Sequence, residues 1–358
     1  MKTGNEVYMI VGSYAEASDT GIYLYRLNID DGSSELLKTV TGIADPSFQA
    51  LSSDGQFIYS VGEGKEKNAK AYAYSFDRKT GDIRLLNVKE VGSSGPCHIW
   101  TDSGRRLVVT ANYSGGSVSV LPVLPDGSLG EAEALTYDGG TPGSARQEAP
   151  HLHQIYTSPD EKYLYANDLG TDRIYKYELR ADDANGSGRL KLTEGDVPYF
   201  SLPAGEGPRH TTFGADGRFA YLISELSGRV AVLRYEDGNL IPIQFIEADS
   251  LKAAGSAEIQ VSPDGRFLYA SNRLKGDGLA IFSIDSATGL LTKIGYQPTG
   301  AHPRYFSITP NGKFLLCACR DDNVIQIFEI DNLSGLLKNI GKDIKVSKPV
   351  CLNYVEIL

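Results

Sequence analysis

The chain has 358 residues, with 35 Lys and Arg against 45 Asp and Glu, a net charge of −10. That balance argues against a nucleic-acid role, which needs a basic face, but lets a few local arginines hold a small anion against the global sign. Hydrophobic residues at 41% and charged residues at 22% are ordinary for a globular protein, and no apolar run approaches the roughly 18 residues of a membrane-spanning helix. The four cysteines, Cys97, Cys317, Cys319 and Cys351, are scattered and form no Cys-x-x-Cys pair. They read as buried free thiols in a reducing compartment.

The first strand signal, Val7-Tyr8-Met9-Ile10-Val11, comes almost at once, so no signal peptide is expected and a cytoplasmic location is. From there alternating runs rich in Val, Ile, Tyr and Phe are cut by Gly-containing turns, without helical periodicity. One set of turns precedes an aromatic strand: Ser53-Asp54-Gly55, Asp102-Ser103-Gly104, Pro159-Asp160-Glu161, Ala215-Asp216-Gly217, Pro263-Asp264-Gly265 and Pro310-Asn311-Gly312. A second set precedes a final Leu-rich strand: Asp31-Gly32, Thr80-Gly81, Asp126-Gly127, Ser187-Gly188, Asp237-Gly238, Thr288-Gly289 and Ser334-Gly335. The first set has six members and the second seven. The run Pro349–Leu358 reads as a first strand with no followers, and Val7–Val40 as three later strands with no first.

Joining the two ends completes a seventh unit. Units starting at Pro46, Pro96, Pro150, Pro208, Ser256, Pro303 and Pro349 are 46 to 58 residues apart, enough for four short antiparallel strands each. The expectation is an all-β, seven-bladed β-propeller over residues 1–358, one domain, its ring closed by N- and C-terminal strands in one blade. A β-sandwich array would not explain why one end lacks the strand that the other has in surplus. The loop Thr136–Ala149 is expected over one rim, either as a ligand contact or as a plain insertion.

In such a fold the first strand of each blade lines the axis, and its start meets the end of the second strand at one rim. Unit starts carry His98, His151, His153, Arg209, His210, Glu258, His302 and Arg304. Positions about eight residues past each turn carry Glu63, Asn112, Asp168, Glu225, Asn272, Arg273 and Arg320. All five histidines fall in the first set, and the mixture suits a small anion and proton transfer. Several positions keep two readings. Arg209 and Glu225 are a site pair or a cross-strand ion pair. His98 is a site residue or a backbone partner, and Glu63 and Asp168 belong to the site or to rim turns. Arg304 and Arg320 face each other around an anion or are served by Asp321 and Asp322. His151-x-His153 has no third ligand at suitable spacing, so no metal is expected.

The segments Pro-His151-Leu-His153, Tyr-Ala-Asn-Asp168-Leu-Gly, Gly-Pro-Arg209-His210, Ser-Glu225-Leu, Tyr-Ala-Ser-Asn272-Arg273 and Ala-Asn112-Tyr113-Ser-Gly-Gly resemble the seven-bladed propeller lactonases, which include 6-phosphogluconolactonases and carboxymuconate cyclases. The pattern is departed from at Leu274-Lys275 and at Cys317-Ala-Cys-Arg320. The resemblance implies hydrolysis of a sugar lactone, with 6-phosphogluconolactone first, in the oxidative pentose phosphate route and without a cofactor. It puts His151, His153, Arg209, Glu225 and Arg273 in catalysis. Around them His98, Asn112, Asp168, His210, Asn272, Arg304 and Arg320 would bind substrate. The expected partner is a small anionic lactone, with no nucleic acid and no membrane, for a monomer or weak homodimer. A lactonising cycloisomerase and a non-catalytic binding propeller are the alternatives.

Overall fold

The computed structural model describes residues 5–64, 68–141, 144–179, 190–192 and 198–358. The turn expected at Ser187-Gly188, and residues 142–143 of the loop expected at Thr136–Ala149, lie outside them.

The repeated turn is built by its own side chains. Ser52 Oγ donates to Asp54 Oδ1 (2.7 Å) and accepts the N–H of Phe57 (3.0 Å). The same pair of bonds recurs at Ser158-Asp160-Tyr163, Ser262-Asp264-Phe267 and Thr309-Asn311-Phe314. A hydroxyl that serves both ends of a tight turn fixes where the first strand stops and the aromatic strand begins.

Seven antiparallel sheets follow among the described residues. Sheet one holds Gln49–Leu51, Phe57–Gly62, Lys70–Asp77 and Asp82–Glu90, and sheet two Pro96–Thr101, Leu107–Asn112, Ser117–Pro122 and Glu133–Thr136. In sheet three Leu152–Thr157, Tyr163–Asp168 and Arg173–Leu179 are followed by Leu190–Leu192 and Tyr199–Ser201, both paired with the third strand. Sheet four holds Pro208–Phe213, Phe219–Ser224, Arg229–Glu236 and Asn239–Glu247; sheet five Ser256–Val261, Phe267–Asn272, Gly278–Ile284 and Leu291–Pro298. Sheet six adds two short last strands, Leu337–Asn339 and Ile344–Lys345, to Pro303–Ile308, Phe314–Cys319 and Val324–Ile330. In sheet seven Pro349–Glu356 pairs with Glu6–Ser13, which continues through Ile22–Asn28 to Ser34–Val40. The surplus strand at one end of the sequence thus supplies the one missing at the other. This is the strand topology of a seven-bladed β-propeller.

Two compact units are distinguished along the chain. Leu37–Pro203 carries sheets one to three and Ala204–Tyr354 carries sheets four to six. Within each unit, neighbouring sheets pack face to face through apolar side chains. Tyr221, Ile223, Val232, Ile259, Leu268 and Phe282 join sheets four and five, and Val61, Ala71, Ile99, Val108 and Leu121 join sheets one and two. Each large apolar side chain so buried contributes about 1.5–3 kcal/mol.

Separate sheets share no backbone ladder, and side chains bridge them instead. Gln244 donates to Leu291 O (2.9 Å) and accepts its N–H (2.8 Å); Asn87 does the same to Leu129. Tyr59, Tyr221 and Tyr269 donate their hydroxyls to the carbonyls of Gly127, Gly289 and Gly335, the turn glycines of the next sheet. Those glycines are left-handed (φ 86°, 72° and 73°), and the rings of Phe57, Phe219 and Phe267 lie where a Cβ would sit. Glycine is therefore required twice over.

Candidate active site

One hydrogen bond closes the same end of six first hairpins. The N–H of Glu63, Tyr113, Leu169, Glu225, Arg273 and Arg320 reaches the carbonyl of Asp45, Gly95, His151, Gly207, Gly255 and His302, at 2.7–3.2 Å. Just inside it, the pairing slips by a bulge between Pro96 and His98, Leu152 and Gln154, Pro208 and His210, Ser256 and Ile259, and Pro303 and Tyr305. A bulge re-aims the extra side chain. The re-aimed residues include His153, Arg209 and Arg304.

In sheets four to six this frame assembles a network. Arg209 Nε donates to Glu225 Oε2 (2.9 Å) and its Nη1 to Ala257 O (2.7 Å). Arg273 Nη2 lies 3.2 Å from Glu225 Oε1, while its Nε donates to Gly255 O (2.7 Å). Glu225 therefore bridges two guanidiniums. Side-chain exposures of 2%, 9% and 5% for Arg209, Glu225 and Arg273 show that all three have left water. Arg273 Nη1 is 3.2 Å from His302 Nε2, and Arg320 Nη2 is 3.2 Å from His302 Nδ1. Burial, and then the charges of Arg273 and Arg320, push the His302 imidazole down to about 3, so it is neutral at physiological pH. Arg320 also grips the neighbouring Asp321 through Nε (2.7 Å) and Nη2 (3.1 Å).

Beside Arg209, on the first strands of sheets four and five, His210 Nδ1 lies 2.7 Å from Glu258 Oε2. Burial raises Glu258 to about 8, against the pull of Arg209. Near neutral pH the Glu258 carboxyl therefore keeps its proton, within hydrogen-bond distance of the His210 ring.

Sheets two and three form their own group. The Tyr113 ring stacks on His151 at 4.4 Å and meets His153 edge-on at 5.6 Å. His151 Nδ1 donates to Tyr113 O (2.9 Å), and Cys97 Sγ lies 3.8 Å from His153 Nδ1. His98 Nδ1 accepts the N–H of Ile155 at 3.4 Å, the backbone-partner reading. Glu63 accepts from the Tyr14 hydroxyl at 2.9 Å. A cavity of about 680 Å³ among Asp54, Phe57, Arg78, Arg84 and Leu358 lies at the turn end of sheet one, away from these side chains.

A family model described as a seven-bladed β-propeller lactonase matches residues 8–354. The chain belongs to that lactonase family. The lactonase is 36% identical over 346 residues to a Formosa agariphila protein named 6-phosphogluconolactonase, covering 95% of this chain and 97% of that one. A solved Bacteroides fragilis structure is 47% identical, with a TM-score of 0.95 and 99% of each chain covered. The Pseudomonas aeruginosa periplasmic gluconolactonase is 31% identical with a TM-score of 0.91, covering 99% of this chain and 100% of that one.

Three residues expected at the lactonase's site have their side chains taken up by hydrogen bonds within or between blades. Asn112 accepts from Thr110 and donates to Ser117 and Ser119; Asn272 accepts from Ser256 and donates to Ala248 O. Asp168 accepts the N–H groups of His151 (2.6 Å) and Gly170 (2.9 Å) and the Thr171 hydroxyl (2.6 Å), and burial raises its pKa despite these bonds. The left-handed residue of each turn explains the placement. It is Gly55, Gly217, Gly265 and Gly312 in four blades but Arg105 and Glu161 in the other two. Eight residues beyond it stand Glu63, Tyr113, Leu169, Glu225, Arg273 and Arg320; Asn112, Asp168 and Asn272 stand seven beyond, facing the other way. Counting from Gly104 hid Tyr113. Likewise the third blade starts at Leu152, in register with Asp168, where Pro150 was expected. That makes His153 the counterpart of Arg209, and His151 the counterpart of Gly207 and His302.

Glu258 and His302 were legible as polar unit starts, but nothing in the residue types set them apart. The signal for His302 is conformational. It is left-handed (φ 58°) where Gly95 (60°) and Gly207 (63°) stand in other blades, at a cost of about 1–2 kcal/mol for a residue with a Cβ.

Proposed function

We propose that this lactonase hydrolyses a sugar lactone carrying an anionic group, with 6-phosphogluconolactone as the leading substrate. The observation that carries the reading is Glu225 held between two buried guanidiniums, with the His210–Glu258 contact at 2.7 Å beside Arg209. The name of the Formosa agariphila relative supports it.

Ring opening needs negative charge stabilised on the carbonyl oxygen, a proton taken from water and a proton given to the ring oxygen. Arg209 and Arg273 are desolvated and fixed before substrate arrives, so their charge acts in a low dielectric without reorganisation. Both Glu225 oxygens lie beside guanidinium nitrogens, so its work is to hold the two forks in place. In the proposed sequence water attacks the lactone carbonyl carbon and gives one proton to the His210–Glu258 pair. The carbonyl electrons move to oxygen, beside the arginines. Collapse then breaks the ring carbon–oxygen bond, and the pair returns its proton to the departing oxygen. The product is the open hydroxy acid, and the pair ends as it began. The resemblance adds His151 and His153 to the catalytic set.

The test is direct. The purified protein is mixed with freshly made 6-phosphogluconolactone, and the decay is compared with the spontaneous rate. Acceleration that falls about 10²–10³-fold in Arg273→Ala, the scale of losing one preorganised oxyanion donor, supports the assignment. A decay equal to the uncatalysed one sinks it.

A further inference from the structure

We propose that Leu274 is a positioning residue for the reaction: by covering the bond from Arg273 Nε to Gly255 O, its side chain holds the Arg273 guanidinium where the lactone oxyanion forms. The proposal rests on the lactone reading above and names a residue outside the charged network on which that network's geometry depends.

The backbone at Leu274 is strained. Its φ of 83° is the largest among the described non-glycine residues of the left-handed region, where a Cβ crowds the neighbouring carbonyl. Burial does little to offset this, since Leu274 is 57% exposed. Sheets two and four avoid the strain. There Gly95 and Gly207, whose carbonyls accept the N–H of Tyr113 and Glu225, are themselves left-handed (φ 60° and 63°), and Ser114 and Leu226, next in the chain, are not. In sheet five the corresponding Gly255 is not left-handed, and the left-handed residues are Ala254 before it (φ 55°) and Leu274 across from it. Strain of this kind persists where the surrounding structure over-determines it, and it clusters at functional sites.

The contacts of Leu274 show what the strain maintains. A Cβ built on Gly255 would lie 2.7 Å from Leu274 Cδ1 and 2.8 Å from its Cγ, so the leucine rests directly on that glycine. The Gly255 carbonyl accepts twice from Arg273, from the backbone N–H (3.2 Å) and from Nε (2.7 Å). Leu226 rests on Gly207 in the same way, but an ionised Glu225 has no donor to give that carbonyl. The contact in sheet five is also reciprocal. Leu251, 54% exposed, lies 2.6 Å from a Cβ built on Gly276. Its loop is shaped by Asp249, whose Oδ1 accepts the Leu251 N–H (3.0 Å) and whose Oδ2 accepts the Ala253 N–H (2.7 Å). The segments 249–255 and 274–277 thus clasp each other, each leucine on the other's glycine, with Arg273 anchored between them. Water reaching Gly255 O competes for its lone pairs. An apolar side chain over the glycine keeps the Nε bond dry, and the guanidinium, 5% exposed, stays fixed. A shift of about 1 Å in such a group costs about 10²-fold in rate.

The experiment measures kcat and KM of the full chain for 6-phosphogluconolactone in wild type, Leu274→Gly and Leu274→Met, with thermal melts. In parallel the arginines are isotopically labelled at Nε, the Arg273 signal is assigned by its disappearance in Arg273→Lys, and exchange of its Nε–H with solvent is followed by NMR. Glycine removes the cover and the strain together, whereas methionine keeps an apolar cover of similar volume at the same φ. In Leu274→Gly, kcat should fall about 10-fold with KM changed by less than about two-fold, the mark of an interaction made in the transition state. The Arg273 Nε–H should exchange faster there, while the melting temperature holds or rises. Leu274→Met should stay within about two-fold of wild type in kcat, KM and exchange. An unchanged kcat in Leu274→Gly, unchanged exchange, or an equal loss in Leu274→Met overturns the assignment while leaving the lactonase standing. A rise in KM alone overturns it as well, because Leu274 is then a substrate contact, and so does a melt of Leu274→Gly well below wild type, because the role is then structural. If wild type does not accelerate the lactone, the functional reading fails and exchange decides alone: faster exchange in Leu274→Gly and not in Leu274→Met keeps Leu274 as the cover of Arg273, and equal rates remove it.

Discussion

The first hairpins of blades four and six share one backbone and differ in one sign. In blade four Arg209 meets Glu225 at 2.9 Å and the pair is almost wholly buried. In blade six Arg304 and Arg320 hold the same two positions, and Arg320 turns to Asp321 and His302, its side chain 27% exposed. A buried pair with its charges matched across the hairpin is a fixed structural element; in blade six the second-strand arginine is answered instead by its chain neighbour, Asp321. The repeat supplies the coordinates, and one substitution in it decides whether the ion pair forms across the hairpin or along the strand end.

The comparison can be broken most severely at Glu225. Glu225→Gln removes the anion between two buried guanidiniums and should cost about 3–5 kcal/mol of stability, the scale for orphaning a buried charge; a urea denaturation midpoint reads it. A shift no larger than that of a surface change would mean the pair is solvated.

Next come two opposed pH dependences. The carboxyl of Glu258 is raised by burial to about 8 in the folded state, from 4.5. The native protein therefore holds a proton that the unfolded chain has lost, and its stability falls as pH rises through that window. Glu258→Gln should flatten this fall. For His302, lowered to about 3 from 6.5, the unfolded chain takes the proton first, so stability is lost as pH falls from 6.5 towards 3. His302→Asn should reduce that loss. Melts at pH 4, 6 and 8 check both, and unchanged slopes would contradict the burial argument.

A smaller effect is expected from Arg320→Glu, which gives blade six the charges of blade four. A gain of up to about 1 kcal/mol is expected from the new ion pair with Arg304, read in a thermal melt. Smallest is Leu274→Gly. Leu274 follows Arg273 with φ 83° and is 57% exposed, so glycine should relieve backbone strain and raise stability by about 0.5–1 kcal/mol in a thermal melt.

The blades were legible because their turns are written in local chemistry. A Ser or Thr before Asp or Asn, then Gly, then an aromatic residue, is a self-contained hydrogen-bonded unit that needs no distant partner. The count of such turns, uneven by one, predicted the strand shared between the two chain ends. The site was legible in part. Arg209, Glu225 and Arg273 stand eight residues from a glycine turn, and the structure brings them together. Tyr113 was hidden because Arg105 takes the left-handed place that glycine fills elsewhere, which shifts the count by one and exchanges a residue facing the site for Asn112, inside the blade. Glu258 and His302 owe their character to burial and to neighbours on other strands, which no local pattern records.

The shared sheet has a consequence for how the chain is made. Glu6–Ser13 leaves the ribosome long before its partner Pro349–Glu356. Throughout synthesis that early strand must wait with one side unzipped, open to pairing with any extended segment it meets. Pairing of Pro349–Glu356 with Glu6–Ser13 is thus what completes the seventh sheet once both strands are made.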